Sequence, residues 1–259
     1  MAGIILAASA CGPDPTPPSV EETREESPPA DCTGCLLQER IDSAAPGETI
    51  NISPGIYTLS GGELLIDKDV VLVGEGPEVT VIQAAISLEL AAHRVIRITE
   101  GSVVSIAGVT IRYGNEAATT ERTLPFHSEA IGMPSSGIVG LYAEFGGGIY
   151  NQGTLTLTDS IVTGNSAGGG AGIFNGAKIT IKDSSITGNR AVGFGGGIFN
   201  GSILIAENIV VADNVAGGGA GIGNWGEASV AGSTVRGNRA RGTGGGIKTT
   251  VSEQWHWTP

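Results

Sequence analysis

The sequence predicts an all-β solenoid, in which one chain winds through short parallel strands and each turn packs on the next. The main observation is a repeat in the second half: the segment GGGIYN at residues 146–151 returns as GAGIFN, GGGIFN, GAGIGN and GGGIKT. The isoleucines of these copies are 24 or 25 residues apart. Between the copies, apolar and polar residues alternate, which indicates strands rather than helices. Repeats of this length bury their apolar side chains only by stacking, which predicts a solenoid.

Glycine and asparagine recur at fixed positions of each repeat. Glycine supplies 43 residues, and 28 of them lie between Gly146 and Gly246. We expect them at corners, where a positive φ angle or a close backbone approach excludes a side chain. An asparagine at the same place in every turn can donate a hydrogen bond to its equivalent in the next turn. The sequence therefore predicts structural ladders from Asn165, Asn189, Asn214 and Asn238 and from the asparagines that end the glycine-rich motif.

These glycine-rich repeats, each of which forms one rung of the predicted solenoid, resemble the right-handed parallel β-helix repeats of secreted bacterial proteins. They are also similar to the G-G-A-I repeats of the polymorphic outer-membrane proteins, with a third glycine in place of the alanine. Residues 41–59 and 70–82 resemble the beginning of pectate-lyase-like β-helices. The resemblance implies a single-stranded right-handed parallel β-helix of about eight turns over residues 32–250. We further expect an amphipathic capping helix over Leu36–Ala45, because an uncovered first turn would expose strand edges and core.

The segment before the repeats divides into a signal-like stretch and a tether. Residues 1–12 contain an apolar run, and Ala8-Ser9-Ala10-Cys11 resembles the lipoprotein box in which the cysteine is lipidated after cleavage. The alternative is a disordered N-terminus that carries a cysteine by chance. Residues 13–31 are acidic and rich in proline, so we expect a disordered tether. This order favours secretion or display on the surface or outer membrane of a bacterium.

Two cysteines follow the tether, Cys32 and Cys35, in a C-x-x-C arrangement. The three histidines of the chain are not suitably placed to complete a zinc site, so no metal site is predicted. The pair is either a disulfide in an oxidising compartment or two reduced thiols.

The repeat is interrupted once and ends irregularly. Residues 116–145 are interpreted as an inserted loop, which either carries function or is a variable decoration. Its polar residues include Glu121, His127, Glu129 and Glu144. Residues 251–259 match no rung. Either Trp255 and Trp257 fold over the last turn or the chain is a fragment of a longer protein, which we favour.

The charge of the chain limits its partners. The formal net charge is −12, and the acidic excess lies entirely in residues 1–145. No region is basic enough to follow a phosphate backbone, which argues against nucleic acid as a partner. No apolar stretch is long enough to cross a bilayer as a helix, so membrane association is expected only through a lipid anchor. A polysaccharide or the surface of a host or neighbouring cell remains the expected partner, and the oligomeric state stays open.

The best carboxylate column for catalysis contains Asp159 and Asp183, which are equivalent in successive repeats, with Lys182 beside them. Polysaccharide-cleaving β-helices use either a basic side chain with calcium-binding acids or a pair of carboxylates. Only a lyase would need Ca²⁺, and no other cofactor is expected. The alternative interpretation is that acidic residues at a turn bind the local backbone, and this interpretation is favoured.

Two further groups are candidates for binding. Tyr150, Phe174 and Phe199 stack in register and form either an exposed stripe for sugar rings or a ladder of rings that stiffens the turns or lies under a neighbouring loop, and the ladder is favoured. Arg236 and Arg239, with Arg241 close by, could bind anionic sugars, or they are solvated charges at a corner.

The sequence favours a non-enzymatic adhesion or structural module, because the turns between residues 146 and 246 are short and leave few loops to form a groove. The alternative is a pectate-lyase-like lyase or a glycoside hydrolase acting on an acidic polysaccharide.

Overall fold

The protein is a parallel β-solenoid of about seven turns, which confirms the predicted all-β class. A computed structural model describes residues 33–116 and 144–249 and the backbone of residues 255–258. Strands that are equivalent in successive turns pair in parallel, so that the strands form four sheets along the solenoid. Ile149 and Ile173 are direct cross-strand partners, as the repeat predicts.

The first three turns follow a short helix. This helix, α1, spans Thr33–Ser43. Turn 1 contains β1 (Glu48–Ile52), β2 (Gly55–Thr58) and β3 (Leu64–Ile66). Turn 2 contains β4 (Val70–Gly74), β5 (Thr80–Gln83), a short 3₁₀ helix (Leu88–Leu90) and β6 (Ile96–Ile98). Turn 3 contains β7 (Val103–Ala107), β8 (Thr110–Arg112), β9 (Asn115–Glu116) and β10 (Ile149–Asn151).

The remaining turns each have four strands. Turn 4 contains β11 (Thr154–Thr158), β12 (Ile161–Thr163), β13 (Ser166–Ala167) and β14 (Ile173–Asn175). Turn 5 contains β15 (Lys178–Lys182), β16 (Ser185–Thr187), β17 (Arg190–Ala191) and β18 (Ile198–Asn200). Turn 6 contains β19 (Ile203–Glu207), β20 (Val210–Ala212), β21 (Val215–Ala216) and β22 (Ile222–Asn224). Turn 7 contains β23 (Glu227–Ala231), β24 (Thr234–Arg236), β25 (Arg239–Ala240) and β26 (Ile247–Thr249), and β27 (Trp255–Thr258) follows.

The four sheets are named by their first strands. Sheet 1 begins with β1 and has eight strands, and sheet 2 begins with β2 and has seven. Sheet 3 begins with β3 and also has seven strands, whereas sheet 4 begins with β9 and has five. The last strand of sheet 1, β27, pairs with β23 and places Trp255 and Trp257 in register with the core residues Ala228 and Val230.

Sheets 1, 2 and 3 enclose the main apolar core. Their inward side chains are mostly Ile, Leu and Val with almost no exposed surface. Successive strand residues point to opposite faces, so alternation along each strand puts one residue inside and the next outside. A second, smaller core consists of alanines: Ala167, Ala171, Ala191, Ala216 and Ala220. Alanine suits this second core because the glycine-rich corner before sheet 3 lies very close to the backbone of sheet 4.

Helix α1 covers the first turn, as expected for a cap. It begins three residues before the predicted start and ends two residues before the predicted end. Leu37 and Ile41, one helical turn apart, are buried in the main core. The side-chain amide of Gln38 bonds both backbone groups of Leu65 in β3, at 2.9 and 3.0 Å. An amide thereby takes the place of a neighbouring strand, and the polar groups of that sheet edge are satisfied.

The asparagine ladders hold the turns together, as predicted. Asn165, Asn189 and Asn214 are completely buried, and each donates from Nδ2 to the amide oxygen of its equivalent in the next turn. Each also donates from its backbone N–H to the same oxygen. The second ladder runs from Asn151 to Asn224 along sheet 3, with amide contacts between 2.6 and 2.8 Å. Buried polar groups need such partners, so these amides serve the fold.

Candidate functional site

The predicted catalytic column lies at the corner between sheets 1 and 2. Asp159 and Asp183 have left-handed backbones, with φ of 46° and 49°, and Asn208 follows with 54°. In the next turn the same corner is Gly232, with φ of 58°. Asp, Asn and Gly are the residues that adopt this conformation most readily. The corner geometry therefore accounts for the residue types in this column, and it favours the structural interpretation of the two carboxylates, which are exposed.

Lys182 does not have the properties of a catalytic base. Its Nζ lies 2.8 Å from a carboxylate oxygen of Glu207 in the next turn. The hydrogen bond and the charge of Glu207 raise the pKa of Lys182 above its usual value. A lysine that acts as a base needs the opposite shift, toward neutral pH. The described residues around this column thus supply no free amine.

The aromatic column on sheet 3 is a covered stack. The rings of Tyr150 and Phe174 are stacked with centroids 5.0 Å apart, and those of Phe174 and Phe199 are 5.6 Å apart. Trp225 continues the stack at 4.6 Å from Phe199, above the position where Gly223 has no side chain. Phe174 and Phe199 are only 3% and 1% exposed. The exposed stripe considered from the sequence is therefore wrong for these two rings, and the stiffening ladder agrees with their geometry.

Phe145 and Phe194 cover this column, and the sequence-based reasoning missed them. Phe145 packs on Phe174 at 4.7 Å, and Phe194 meets Trp225 edge to face at 4.8 Å. In the next turn the residue in register with each phenylalanine is a glycine, Gly169 or Gly218. A Cβ atom on Gly218 would lie 2.8 Å from the ring of Phe194, so the ring requires a glycine there. The repeating structural unit therefore consists of two turns, one with phenylalanine at this position and the next with glycine.

A signal for this two-turn unit exists in the sequence. The corner motif alternates between FGGGI and GGAGI, and the isoleucine spacing alternates between 24 and 25 residues. In the final copy, Thr243 takes the position of the phenylalanine.

The residues of the predicted arginine group are all exposed to solvent. Arg236 lies 3.8 Å from Asp213, and both side chains are more than 60% exposed. Arg239 and Arg241 are exposed at sheet 4. An exposed pair at this distance contributes little to stability, and Arg239 and Arg241 have no charged or hydrogen-bonded partner among the described side chains.

A buried ion-pair cluster around Arg94 is the most concentrated charge arrangement among the described residues, and sequence reasoning did not identify it. Arg94 is 9% exposed and lies between Glu63 and Glu116, each at 2.7 Å. Glu144 is 3.9 Å away. The Nε of Arg94 is poorly aligned for a hydrogen bond with Glu63, so their attraction is mainly between the charges.

The Arg94 cluster connects the two sides of the interrupted turn. Glu116 ends β9, whereas the carbonyl of Phe145, which accepts a 3.0 Å hydrogen bond from Arg94, precedes β10. The guanidinium also lies over the Tyr150 ring at 4.7 Å. Burial raises the pKa of Tyr150, although the positive charges of Arg94 and Arg97 oppose that shift. With its guanidinium bonded to carboxylates and a carbonyl, Arg94 serves as an anchor, and the cluster offers no free cation to a substrate.

Several sequence-based predictions lie outside the described residues. These are the lipidation of Cys11, the pairing of Cys32 with Cys35, and most of the inserted loop, residues 117–143. Cys35 belongs to α1, but its side chain is not described. Within the described ranges there is no group of three or more metal-ligating side chains, and no helix there is long and apolar enough to cross a membrane.

Comparison of the chain with protein-family models, with curated proteins and with solved structures gave no match. The parallel solenoid is thus established by the structure itself.

Proposed function

We propose that this chain is a non-enzymatic β-solenoid module, displayed on or secreted from a bacterial cell, that serves adhesion or structure. The observation that carries the proposal is that the polar residues named above in turns 4 to 7 make contacts within the solenoid. The buried asparagines form ladders, the corner acids adopt left-handed turns, and Lys182 is paired with Glu207. Within the described residues these turns form continuous parallel sheets, which suit binding along the solenoid better than chemistry in a groove.

We also propose the finer family relationship, a pectate-lyase-like β-helix with repeats similar to those of polymorphic outer-membrane proteins. The glycine-rich rungs and the parallel stacking of turns support this relationship. We propose it for architecture only, because the corner angles and the Lys182–Glu207 pair favour structural roles for the acids and the lysine that the resemblance suggested for catalysis.

Catalysis is tested by incubating the purified chain with polygalacturonate, with and without Ca²⁺, and following new unsaturated and reducing ends. We expect no cleavage. Cleavage that is abolished by Asp183→Ala would overturn the proposal and support a polysaccharide lyase or hydrolase. Asp213→Ala is the matched control, because it removes an exposed carboxylate from a left-handed corner outside this column.

Surface display is tested by expressing the full chain in a bacterium and separating membrane from soluble fractions. For a lipid-anchored module, Cys11→Ala shifts the protein from the membrane fraction to the soluble fraction. An unchanged distribution would contradict the lipid anchor. The same shift produced by Cys32→Ala would show that loss of any cysteine, and not lipidation, causes the release.

A further inference from the structure

The described lysines and arginines fall into two groups. Most have a partner within the described residues: a carboxylate, a carbonyl, a side-chain amide or an aromatic ring. Four exposed cations have no such partner there: Lys178, Arg190, Arg239 and Arg241. Lys178 belongs to sheet 1, whereas the three arginines lie on or directly beside sheet 4. The available positive charge is therefore concentrated on one face.

The arginines of sheet 4 recur every second turn. Arg190 in β17 and Arg239 in β25 are both in register with Val215, which lies in the turn between them. One turn of a solenoid advances by the distance between neighbouring strands, so the two arginines are about 9.6 Å apart along the axis. The neighbouring alanines, Ala191 and Ala240, point toward the second core. Strand alternation consequently directs both guanidinium groups outward.

The rest of this face suits an anionic ligand with apolar surfaces. Glu116 is the single acid in the strands of sheet 4, and it is buried against Arg94. Val192, two residues after Arg190, is 59% exposed and provides an apolar contact. Arg241 occupies the place of Val192 two turns later, since the backbone N–H groups of Val192 and Arg241 donate to the preceding turn in the same way.

We propose that sheet 4 binds a linear anionic glycan that lies along the solenoid axis and carries one anionic group on every second sugar. The inference rests on the proposed function and names the ligand class of that binding module. A pyranose in an extended chain is about as long as one turn, so a disaccharide repeat matches the two-turn spacing of Arg190 and Arg239. The planar guanidinium bonds carboxylates and sulfates through two parallel N–H groups. Val215, which is partly exposed in the turn between the two arginines, would then pack against the apolar face of the intervening sugar, and Val192 would add an apolar contact beside Arg190.

The experiment measures binding of the full chain to defined polysaccharides by calorimetry at low and high salt. Hyaluronan carries a carboxylate on alternate sugars, chondroitin sulfate keeps that carboxylate and has a sulfate on the other sugar, and dextran is the neutral control. We expect binding to one or both anionic polymers that weakens at high salt, and no binding to dextran. Equal binding to both anionic polymers would indicate recognition of the carboxylate, whereas binding to chondroitin sulfate alone would indicate recognition of the sulfate.

The variants are Arg190→Glu, Arg239→Glu and their combination, with Lys178→Glu as the matched control. All three single variants make the same change of charge at an exposed residue, but Lys178 lies on sheet 1. Each arginine variant should weaken binding about tenfold, since a charge-assisted hydrogen bond is lost. Lys178→Glu should change affinity less than twofold. The thermal midpoint of each variant shows whether the solenoid is intact.

Equal losses for Lys178→Glu and Arg190→Glu would overturn the proposal, because binding would then follow net charge and not the position on sheet 4. Absence of binding to both anionic polymers, or equal binding to single-stranded DNA, would also overturn it. None of these three results affects the proposed non-enzymatic function, whose failure appears as cleavage of polysaccharide. The two proposals are thus separated by their readouts.

Discussion

Asn189→Ala tests whether the buried asparagine ladder stabilises the solenoid. Asn189 is completely buried, and its side-chain oxygen accepts two hydrogen bonds from Asn165, one from the backbone N–H and one from Nδ2, both at 3.0 Å. Its own Nδ2 donates to the carbonyl of Val162 at 3.0 Å and to Asn214 at 3.1 Å. Alanine removes all four bonds at once.

The size of the effect follows from the groups left behind. The backbone N–H of Asn165 has no other acceptor among its hydrogen bonds in the structure, and a buried donor without a partner costs about 1–3 kcal/mol. The Nδ2 of Asn165 keeps only a 3.3 Å contact with Ile111. The Oδ1 of Asn214 retains the backbone N–H of residue 189. Adding the small cavity, we expect Asn189→Ala to lower the free energy of unfolding by about 3 kcal/mol.

The measurement is urea unfolding followed by circular dichroism, with the midpoint and slope compared between variants. Asn238→Ala is the matched control, because Asn238 makes the same contacts to Asn214 but is only half buried. Water can replace the lost bonds there, so about 1 kcal/mol is expected. If the two variants cost the same, or if Asn189→Ala costs less than 1 kcal/mol, burial of the ladder is not what stabilises the turns.

Three further outcomes are expected. Arg94→Met should lower the free energy of unfolding by about 3–5 kcal/mol in the same urea assay, because it leaves carboxylates uncompensated in a largely buried site. The control is Arg97→Met, which changes a half-exposed side chain and should cost less than about 1 kcal/mol. Desolvation raises the pKa of Tyr150 in the folded state, so its contribution to stability is complete below the unfolded pKa and is lost as the pH rises through the folded pKa. Urea midpoints at increasing alkaline pH should therefore fall less for Tyr150→Phe than for the wild type, and parallel curves would contradict this assignment. Gly218→Ala should cost about 1–3 kcal/mol through its contact with Phe194, and additivity with Phe194→Ala in a double-mutant cycle would show that the contact is not the cause.

The turns themselves were predictable because the solenoid converts sequence spacing directly into spatial neighbourhood. Residues 24 or 25 positions apart become cross-strand partners, so the isoleucine column and the Asn165 ladder could be inferred from the repeat. The corner acids were identified as a column for the same reason. To assign their structural role, the backbone φ angle was required, and the residue types of Asp159 and Asp183 do not reveal this angle by themselves.

The Arg94 cluster could not be inferred in this way. Glu63, Arg94 and Glu144 occupy no common position of the repeat, since they lie in the irregular first turns and beside the interrupted one. The residue that covers Phe174 was also inaccessible, because strand alternation gives the direction of a side chain but not what packs on it.

The sequence by itself determined the parallel winding and the register of the turns, because a strict period leaves a single way to align them. Only the tertiary structure decided which outward residues are available to a partner. It covers the aromatic column with Phe145 and Phe194, and it leaves the arginines of sheet 4 in solvent. The physical reason is that hydrogen-bonded neighbours are fixed by spacing along the chain, whereas the exposure of a side chain depends on everything that packs above it.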